Sequence, residues 1–442
     1  MALLVQRDDS EELRRQLTFE HELFDATVAQ LRLYRHTGDG RLLIPKCFAE
    51  PDANDANDAN DANDANDAND APGFLSALRP HQIGAARAML ARVLRSDCAL
   101  VHLYTGFGKT VLALWLVACL QPLQTVVYVH KHSLALQWDA SIKQFLSVEL
   151  GENVVVRTVQ GQLNRLEEMH EMTPGALVIF DEVHHMCAHS FSQLLFHSHA
   201  QWHLGLSATE KRKDGLHAAL HCLLGRPCVS ITALRHKPLV YRSFFKGPQG
   251  LYNFRTQRVR GREVVNFPHA VSMLCECPER NQHIMDILRQ LRSRNVLVLS
   301  HRRSHASVLA GMATGLATDL GDVDVRLLLG QMKDSEIRSA TAPAQKAAAS
   351  IILVATAQAA GEGFDMPILD TVLFATPASD VSQETGRVLR CAGSNRPLVI
   401  DIVDGAGVYM ALYRKRKVFY DSQNLEFTDH FPGGPGSPAA RS

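Results

Sequence analysis

Between residues 78 and 403, short and almost uninterrupted apolar runs alternate with longer stretches of helical periodicity. A first series falls at 99–103, 126–129, 154–156, 177–180 and 203–206, and a second at 296–300, 323–329, 351–356, 372–375 and 398–403. Runs apolar on both faces and separated by helices predict parallel sheets covered on both sides, not antiparallel sheets with one wet face. The repetition predicts an α/β protein of two similar domains, 73–230 and 271–415, joined by a polar, strand-poor linker over 231–270.

The flanks read differently. Residues 52–71 are six copies of Asp-Ala-Asn followed by Asp-Ala. Such a tract has no large apolar residue, and its side chains compete for backbone hydrogen bonds, so 51–72 is predicted to be a disordered acidic linker. It isolates an N-terminal extension, 1–50, with a helical pattern over 13–33 and an apolar stretch at 42–44. The C-terminal tail, 416–442, ends in a Gly-, Pro- and Ser-rich segment with no basis for packing.

Composition narrows the class without naming a partner. The chain has 442 residues, 46% of them hydrophobic, enough for two buried cores. Its formal net charge is zero, so a nucleic-acid partner must be argued from local charge. Nine scattered cysteines without a C-x-x-C pair predict a reduced intracellular protein. The N-terminus has no apolar leader and the run 111–120 is too short for a bilayer, which predicts a soluble protein of the nucleus or cytoplasm, or of a viral factory if viral.

The chemistry begins where the run 99–103 meets Thr105-Gly106-Phe107-Gly108-Lys109-Thr110 and a strongly apolar helix. Glycines let backbone N–H groups turn inward around phosphate oxygens, and the following helix N-terminus favours negative charge. Thr105, Gly106, Phe107 and Gly108 are therefore read as a phosphate cradle, Lys109 as the cation for the outer phosphates, and Thr110 as a Mg²⁺ ligand. Leu103 stands where the general phosphate-loop pattern carries glycine.

Farther on, the apolar run 177–180 ends in Asp181-Glu182-Val183-His184. Two carboxylates at the C-terminal edge of a strand lie where open α/β sheets bind ligands. Asp181 is assigned to Mg²⁺ and Glu182 to polarising the attacking water, since phosphoryl transfer depends on positioning and charge neutralisation. His184 is expected to hydrogen-bond to the second domain. The run 203–206 leads into Ser207-Ala208-Thr209, whose hydroxyls are read as coupling elements.

In the second domain, Gln383-Glu384-Thr385-Gly386-Arg387-Val388-Leu389-Arg390 sets two arginines three apart, on one helical face. Guanidinium groups bind phosphate oxygens bidentately, so this face is suited to closing on a γ-phosphate. Asp365, in Gly361-Glu362-Gly363-Phe364-Asp365, supplies a carboxylate for ribose or interdomain contact.

With these motifs the chain resembles superfamily 2 helicases of the DEAH-like kind over roughly 78–403. It is nearer still to the XPB-type branch, which includes helicases of large DNA viruses and the poxvirus transcript-release helicase. Leu78-Arg79-Pro80-His81-Gln82, Val129-His130-Lys131-His132, Gln137-Trp138, Val298-Leu299-Ser300-His301-Arg302 and Ala355-Thr356 carry that likeness. The resemblance implies two tandem RecA-like P-loop domains and an ATP hydrolase using Mg²⁺. It further implies that Gln82 reads adenine and that Gln383, Arg387 and Arg390 complete the ATP site. Nucleic-acid contacts are implied at His130, Lys131, Ser300, Arg302 and Thr356. The implied activity is translocation or unwinding by a monomer, on DNA more than RNA, with transcription or replication machinery as partner and no membrane. Transcript release without processive unwinding is the alternative. Arg212-Lys213-Asp214 departs from the branch's Arg-Glu-Asp element, and the short interdomain stretch leaves no room for a large damage-recognition module.

Two basic segments stay open. Lys246, Arg255, Arg258, Arg260 and Arg262 alternate with Phe244, Phe245, Tyr252 and Phe254, which suits single-strand binding or, equally, a solvated linker with buried rings. Arg414-Lys415-Arg416-Lys417 reads as a helix-end cluster, a phosphate contact or a nuclear address.

Overall fold

The computed structural model describes residues 3–7, 11–22, 28–33, 35–36, 41–45, 71–165, 174–184, 194, 198–208, 217–259, 262–321, 323–330, 332, 334–342, 350–361, 364, 366, 368–388 and 395–431. The chain divides into two compact units, Met1–Thr232 and Ala233–Ser442.

At the N-terminus β1 (Leu3–Arg7), β4 (Arg35–His36) and β5 (Arg41–Pro45) form a three-stranded sheet, while β2 (Thr18–Glu22) and β3 (Val28–Arg32) form a hairpin. The helix expected over 13–33 is therefore corrected to a short one, Glu11–Gln16, followed by strands. Its end has a local cause: the Thr18 hydroxyl donates to the Arg14 carbonyl at 2.6 Å. Beyond it Thr18-Phe19-Glu20-His21-Glu22 alternates with period two, which favours a strand over a helix. The Asp-Ala-Asn repeat lies outside the described residues, apart from Ala71.

The rest of the first unit is built on six parallel strands: β6 (Cys98–Leu103), β7 (Gln124–Val129), β8 (Val154–Thr158), β9 (Ala176–Phe180), β10 (Trp202–Ser207) and β11 (Pro227–Ile231), in the order β11-β6-β10-β9-β7-β8. Every residue of β6 and β9 is buried. Each fully buried Val, Leu or Ile contributes about 1.5–3 kcal/mol by leaving water, so the apolar runs themselves hold the sheet together. The helix Lys109–Leu120 is buried from Leu112 to Ala118, which explains why it is apolar on all sides.

The second unit repeats the plan with seven parallel strands: β12 (Leu239–Phe245), β15 (Val296–Ser300), β16 (Val323–Leu328), β17 (Ser350–Thr356), β18 (Thr371–Phe374), β19 (Leu398–Asp404) and β20 (Glu426–Thr428). Their order is β16-β17-β15-β18-β19-β12-β20. The expectation that 231–270 is strand-poor is corrected: β12 pairs in parallel with β19 along its whole length, and β13 (Thr256–Val259) with β14 (Arg262–Val265) makes a separate hairpin. The apolar run of β12 is broken by Arg242 and Ser243, and its buried residues are Val240, Ser243 and Phe245. Nor is 416–442 all tail, since the helix Gly407–Ser422 runs into it and β20 pairs with β12. No helix among the described residues is long and apolar enough to cross a membrane.

Candidate nucleotide site

In the first unit the strand order does the assembly. β6 ends at the glycine loop, β9 ends at Asp181-Glu182, and β10, which ends in Ser207, lies between them. Because all three run parallel, their C-terminal ends share one edge, and Ser207 is in register with His102.

The loop turns on Gly106 and Gly108, whose φ angles of 96° and 101° lie in the region that L side chains avoid. A Cβ at Gly108 would also come within 2.3 Å of the Gln82 amide nitrogen. That amide is 2% exposed; its nitrogen donates to the Phe107 carbonyl at 3.0 Å and its oxygen accepts from the Arg79 N–H at 2.9 Å. In this structure Gln82 thus fastens the helix Pro80–Ser96 to the loop. Phe107 is buried edge-on to both His81 and Tyr104, fixing the crest of the turn.

Lys109 Nζ donates to the Leu103 carbonyl at 3.4 Å and lies 3.4 Å from Glu182 Oε1. Glu182 has φ of 48°, a strained left-handed conformation for a non-glycine residue, which turns the chain sharply after Asp181. His184 Nδ1 sits 3.4 Å from Glu182 Oε2 and 3.2 Å from the Ser207 hydroxyl. Lys109, Glu182, His184 and Ser207 therefore form one chain of contacts. These contacts tie His184 to Glu182 and Ser207 of the first unit.

Asp181 is 6% exposed; Oδ2 accepts from Trp138 Nε1 at 2.9 Å and Oδ1 from the Glu182 N–H at 3.0 Å. Burial, followed by the neighbouring Glu182 charge, pushes its carboxyl up to about 6, against the opposing pull of Lys109 and the two N–H groups. Two adjacent carboxylates at a strand end, with Lys109 beside them, are oxygen donors of the kind a divalent cation takes.

Behind this edge His102 is 1% exposed, and neither ring nitrogen has a hydrogen-bond partner among the described residues. Burial, then the charges of His221, His184 and Lys109, lower its pKa to about 4, so it is neutral at ordinary pH. The sequence reading places Gln137-Trp138 among the family signatures but not the contact of Trp138 with Asp181, and it missed His102. The Trp138 contact spans 43 residues, and an apolar strand hides the significance of one histidine.

The remaining candidates distribute as follows. Thr110 is half-buried in the first turn of its helix, and Thr105 and His130 are half-buried while Lys131 is exposed. Thr209, Asp365 and Arg390 lie outside the described residues. Gln383 and Arg387 belong to the helix Ser382–Val388, but their side chains are not described.

In the second unit Ser300 and Thr356 are in register at the ends of β15 and β17. Both are nearly or fully buried. The Ser300 hydroxyl donates to the Arg302 carbonyl at 3.2 Å and lies 3.0 Å from His305 Nδ1. Thr356 Oγ1 accepts from the Gly330 and Ala359 N–H groups at 3.3 Å. These hydroxyls order loops from within, and half-buried Arg302, which donates to the Pro268 carbonyl at 2.9 Å, stands nearer solvent. In the basic run 414–417, Arg416 is 2% exposed and forks onto Asp401, so it is a buried strut rather than a surface cation.

Comparison with known proteins follows the same division. Residues 75–212 match the family model described as type III restriction enzyme, res subunit, and 279–392 match the helicase conserved C-terminal domain. A protein of Acanthamoeba polyphaga mimivirus named as an ATP-dependent RNA helicase, L396, is 26% identical over 75% of this chain and 65% of its own length. One of Invertebrate iridescent virus 6 named as helicase 161L is 26% identical over 78% of this chain and 81% of its own length. The DNA 3'-5' translocase XPB2 of Sulfurisphaera tokodaii is 30% identical over 40% of this chain and 38% of its own length. The chain thus spans just under two thirds of the mimivirus relative and well under half of the archaeal one.

Proposed function

We propose that this chain, which belongs to the superfamily 2 helicases, hydrolyses ATP with Mg²⁺ and couples the reaction to movement along nucleic acid. The observation that carries the reading is the position of Lys109, 3.4 Å from both the loop carbonyl of Leu103 and the carboxylate of Glu182. One ammonium joins the phosphate cradle to the acidic pair, so a nucleotide's outer phosphates and its attacking water would meet between them.

Thr110 and Asp181 would hold the Mg²⁺. The ion supplies charge neutralisation to phosphate oxygens. Lys109 exchanges its backbone carbonyl for phosphate oxygens, which frees Glu182 to orient water and accept its proton. His184 and Ser207 follow any shift of Glu182, because they are linked to it by contacts of 3.4 Å and 3.2 Å. Thr209 extends that coupling, Gln82 orders the loop for the base, and Asp365 serves the ribose. Gln383, Arg387 and Arg390 of the second domain answer the charge that develops on the γ-phosphate. His130, Lys131, Ser300, Arg302 and Thr356 form the nucleic-acid track, with Arg302 as its clearest cation.

DNA is the proposed track, in keeping with the archaeal translocase, although the mimivirus relative is named for RNA. The test is steady-state ATP hydrolysis without nucleic acid and with single-stranded DNA, duplex DNA or RNA, using Lys109→Ala as control. Stimulation by DNA that vanishes in the variant supports the motor and its track. Stimulation by RNA alone reverses the choice of track, and turnover that is absent or insensitive to Lys109 overturns the motor.

A further inference from the structure

The hairpin β13–β14 belongs to neither large sheet, and its base is held on the second unit by aromatic packing. Phe254 meets Tyr409 edge-on at 5.4 Å and Tyr252 meets it at 6.2 Å, while the Tyr252 hydroxyl donates to the Phe245 carbonyl at 3.3 Å. The Asn266 N–H then closes the base on the Arg255 carbonyl at 2.8 Å. Tyr252, Phe254 and Phe245 are thereby taken into the core, leaving Phe244, 58% exposed, as the open ring of that stretch.

The cations behave oppositely. Arg255 and Arg258 are exposed, and neither side chain has a hydrogen-bond or ion-pair partner among the described residues. Glu263, directly opposite Arg258 in the register, accepts the Thr256 hydroxyl. Two open guanidinium groups on a hairpin whose base rings, Tyr252 and Phe254, are packed inward match phosphate oxygens rather than stacked bases.

Location adds a second reason. Asn266 also caps the helix Phe267–Glu276, where its side chain accepts from the His269 N–H at 3.1 Å. The first turn of that helix offers the Pro268 carbonyl held by Arg302. The hairpin base and the proposed track cation are thus joined through one helix start. Arg302 also lines a cavity together with Glu276, Glu279 and Asp286, carboxylates that repel phosphate, so the cavity itself is a poor seat for the backbone.

From this arrangement we infer that β13–β14 is a phosphate clamp, with Arg255 and Arg258 gripping the nucleic-acid backbone beside Arg302, independent of sequence. The inference rests on the nucleic-acid motor reading and adds a surface to it. Each arginine that neutralises a duplex phosphate steepens the salt dependence of binding by about 0.9 in log–log slope.

The test is binding of the full chain to labelled duplex DNA, single-stranded DNA and RNA from 50 to 200 mM salt, comparing wild type with Arg255→Ala/Arg258→Ala. The duplex slope is expected to flatten by about 1.8, so that the variant's loss of affinity across this range is about tenfold smaller than wild type's. ATP turnover without nucleic acid and the melting temperature stay unchanged, and Arg255→Lys/Arg258→Lys recovers the slope. Equal slopes for wild type and the alanine variant overturn the clamp and leave the motor reading standing. Wild type that binds neither DNA nor RNA overturns both.

Discussion

Each unit buries carboxylates at one end of a parallel sheet, and the two treat them in opposite ways. In the second unit Asp404 receives Arg280 through Nε at 2.8 Å and Nη2 at 3.0 Å, and Asp401 receives Arg416 through Nη2 at 2.8 Å. Each buried anion has a buried, forked cation. In the first unit Asp181 has two N–H donors and shares Lys109 with Glu182. The first arrangement is closed and structural; in the second, among the described residues, neither carboxylate of the pair is met by a forked guanidinium, which suits the metal-binding role proposed for it. Burial of charge alone does not distinguish a strut from a site, whereas the completeness of its compensation does.

If that contrast is right, Lys109→Ala or Glu182→Gln should leave the fold intact and cut ATP turnover by roughly 10²–10³-fold. Circular dichroism and steady-state hydrolysis on the same samples check this; a variant that unfolds would place Lys109 among the struts. Asp404→Asn should do the reverse, costing about 3–5 kcal/mol because it leaves Arg280 charged and buried. Denaturant titration reads that loss, and Arg280→Met combined with Asp404→Leu should recover most of it.

Two buried histidines extend the comparison. His305 has both ring nitrogens engaged, at 3.0 Å from Ser300 Oγ and 2.9 Å from Asn281 Oδ1, whereas His102 has neither. Both are lowered to about 4, His305 by burial and then Arg280. The unfolded chain takes up protons below its ordinary value of 6.5 and the folded chain refuses them until about 4. Stability is therefore full above pH 6.5 and lost as the pH falls toward 4, by on the order of 2–3 kcal/mol per group. Melting curves should show His102→Val flattening this acid limb at little cost at pH 8, and His305→Phe lowering stability at every pH. The smallest effect is expected from Trp138→Phe, which removes one donor worth about 1 kcal/mol to Asp181 and should raise the acid limb of the ATPase profile by about one pH unit or less.

Much of the plan was legible because both sheets are parallel and their central strands are buried, so strands such as β6, β9, β15 and β17 are nearly continuous apolar runs. The strands that escaped notice have other signatures. β11 opens on a proline, β12 is interrupted by Arg242 and Ser243, and the described side chains of β13 and β14 are largely exposed. The motif residues on the nucleotide edge were legible because the chemistry needs them at fixed spacings along one strand–loop–helix passage. Their supports were not: Trp138 reaches Asp181 and Gln82 reaches Phe107 only through the fold. The run 414–417 shows the same limit, since a sequence of four cations does not reveal that the helix turns Arg416 inward.

The indole that steadies Asp181 is also an optical instrument. Trp138 is one of three tryptophans, 1% exposed, with its N–H on a carboxylate whose charge depends on protonation and on any bound cation. Its emission is thus coupled to the electrostatic state of the proposed nucleotide edge, and with Trp115 and Trp202 replaced by phenylalanine the protein would report each change there without an attached dye.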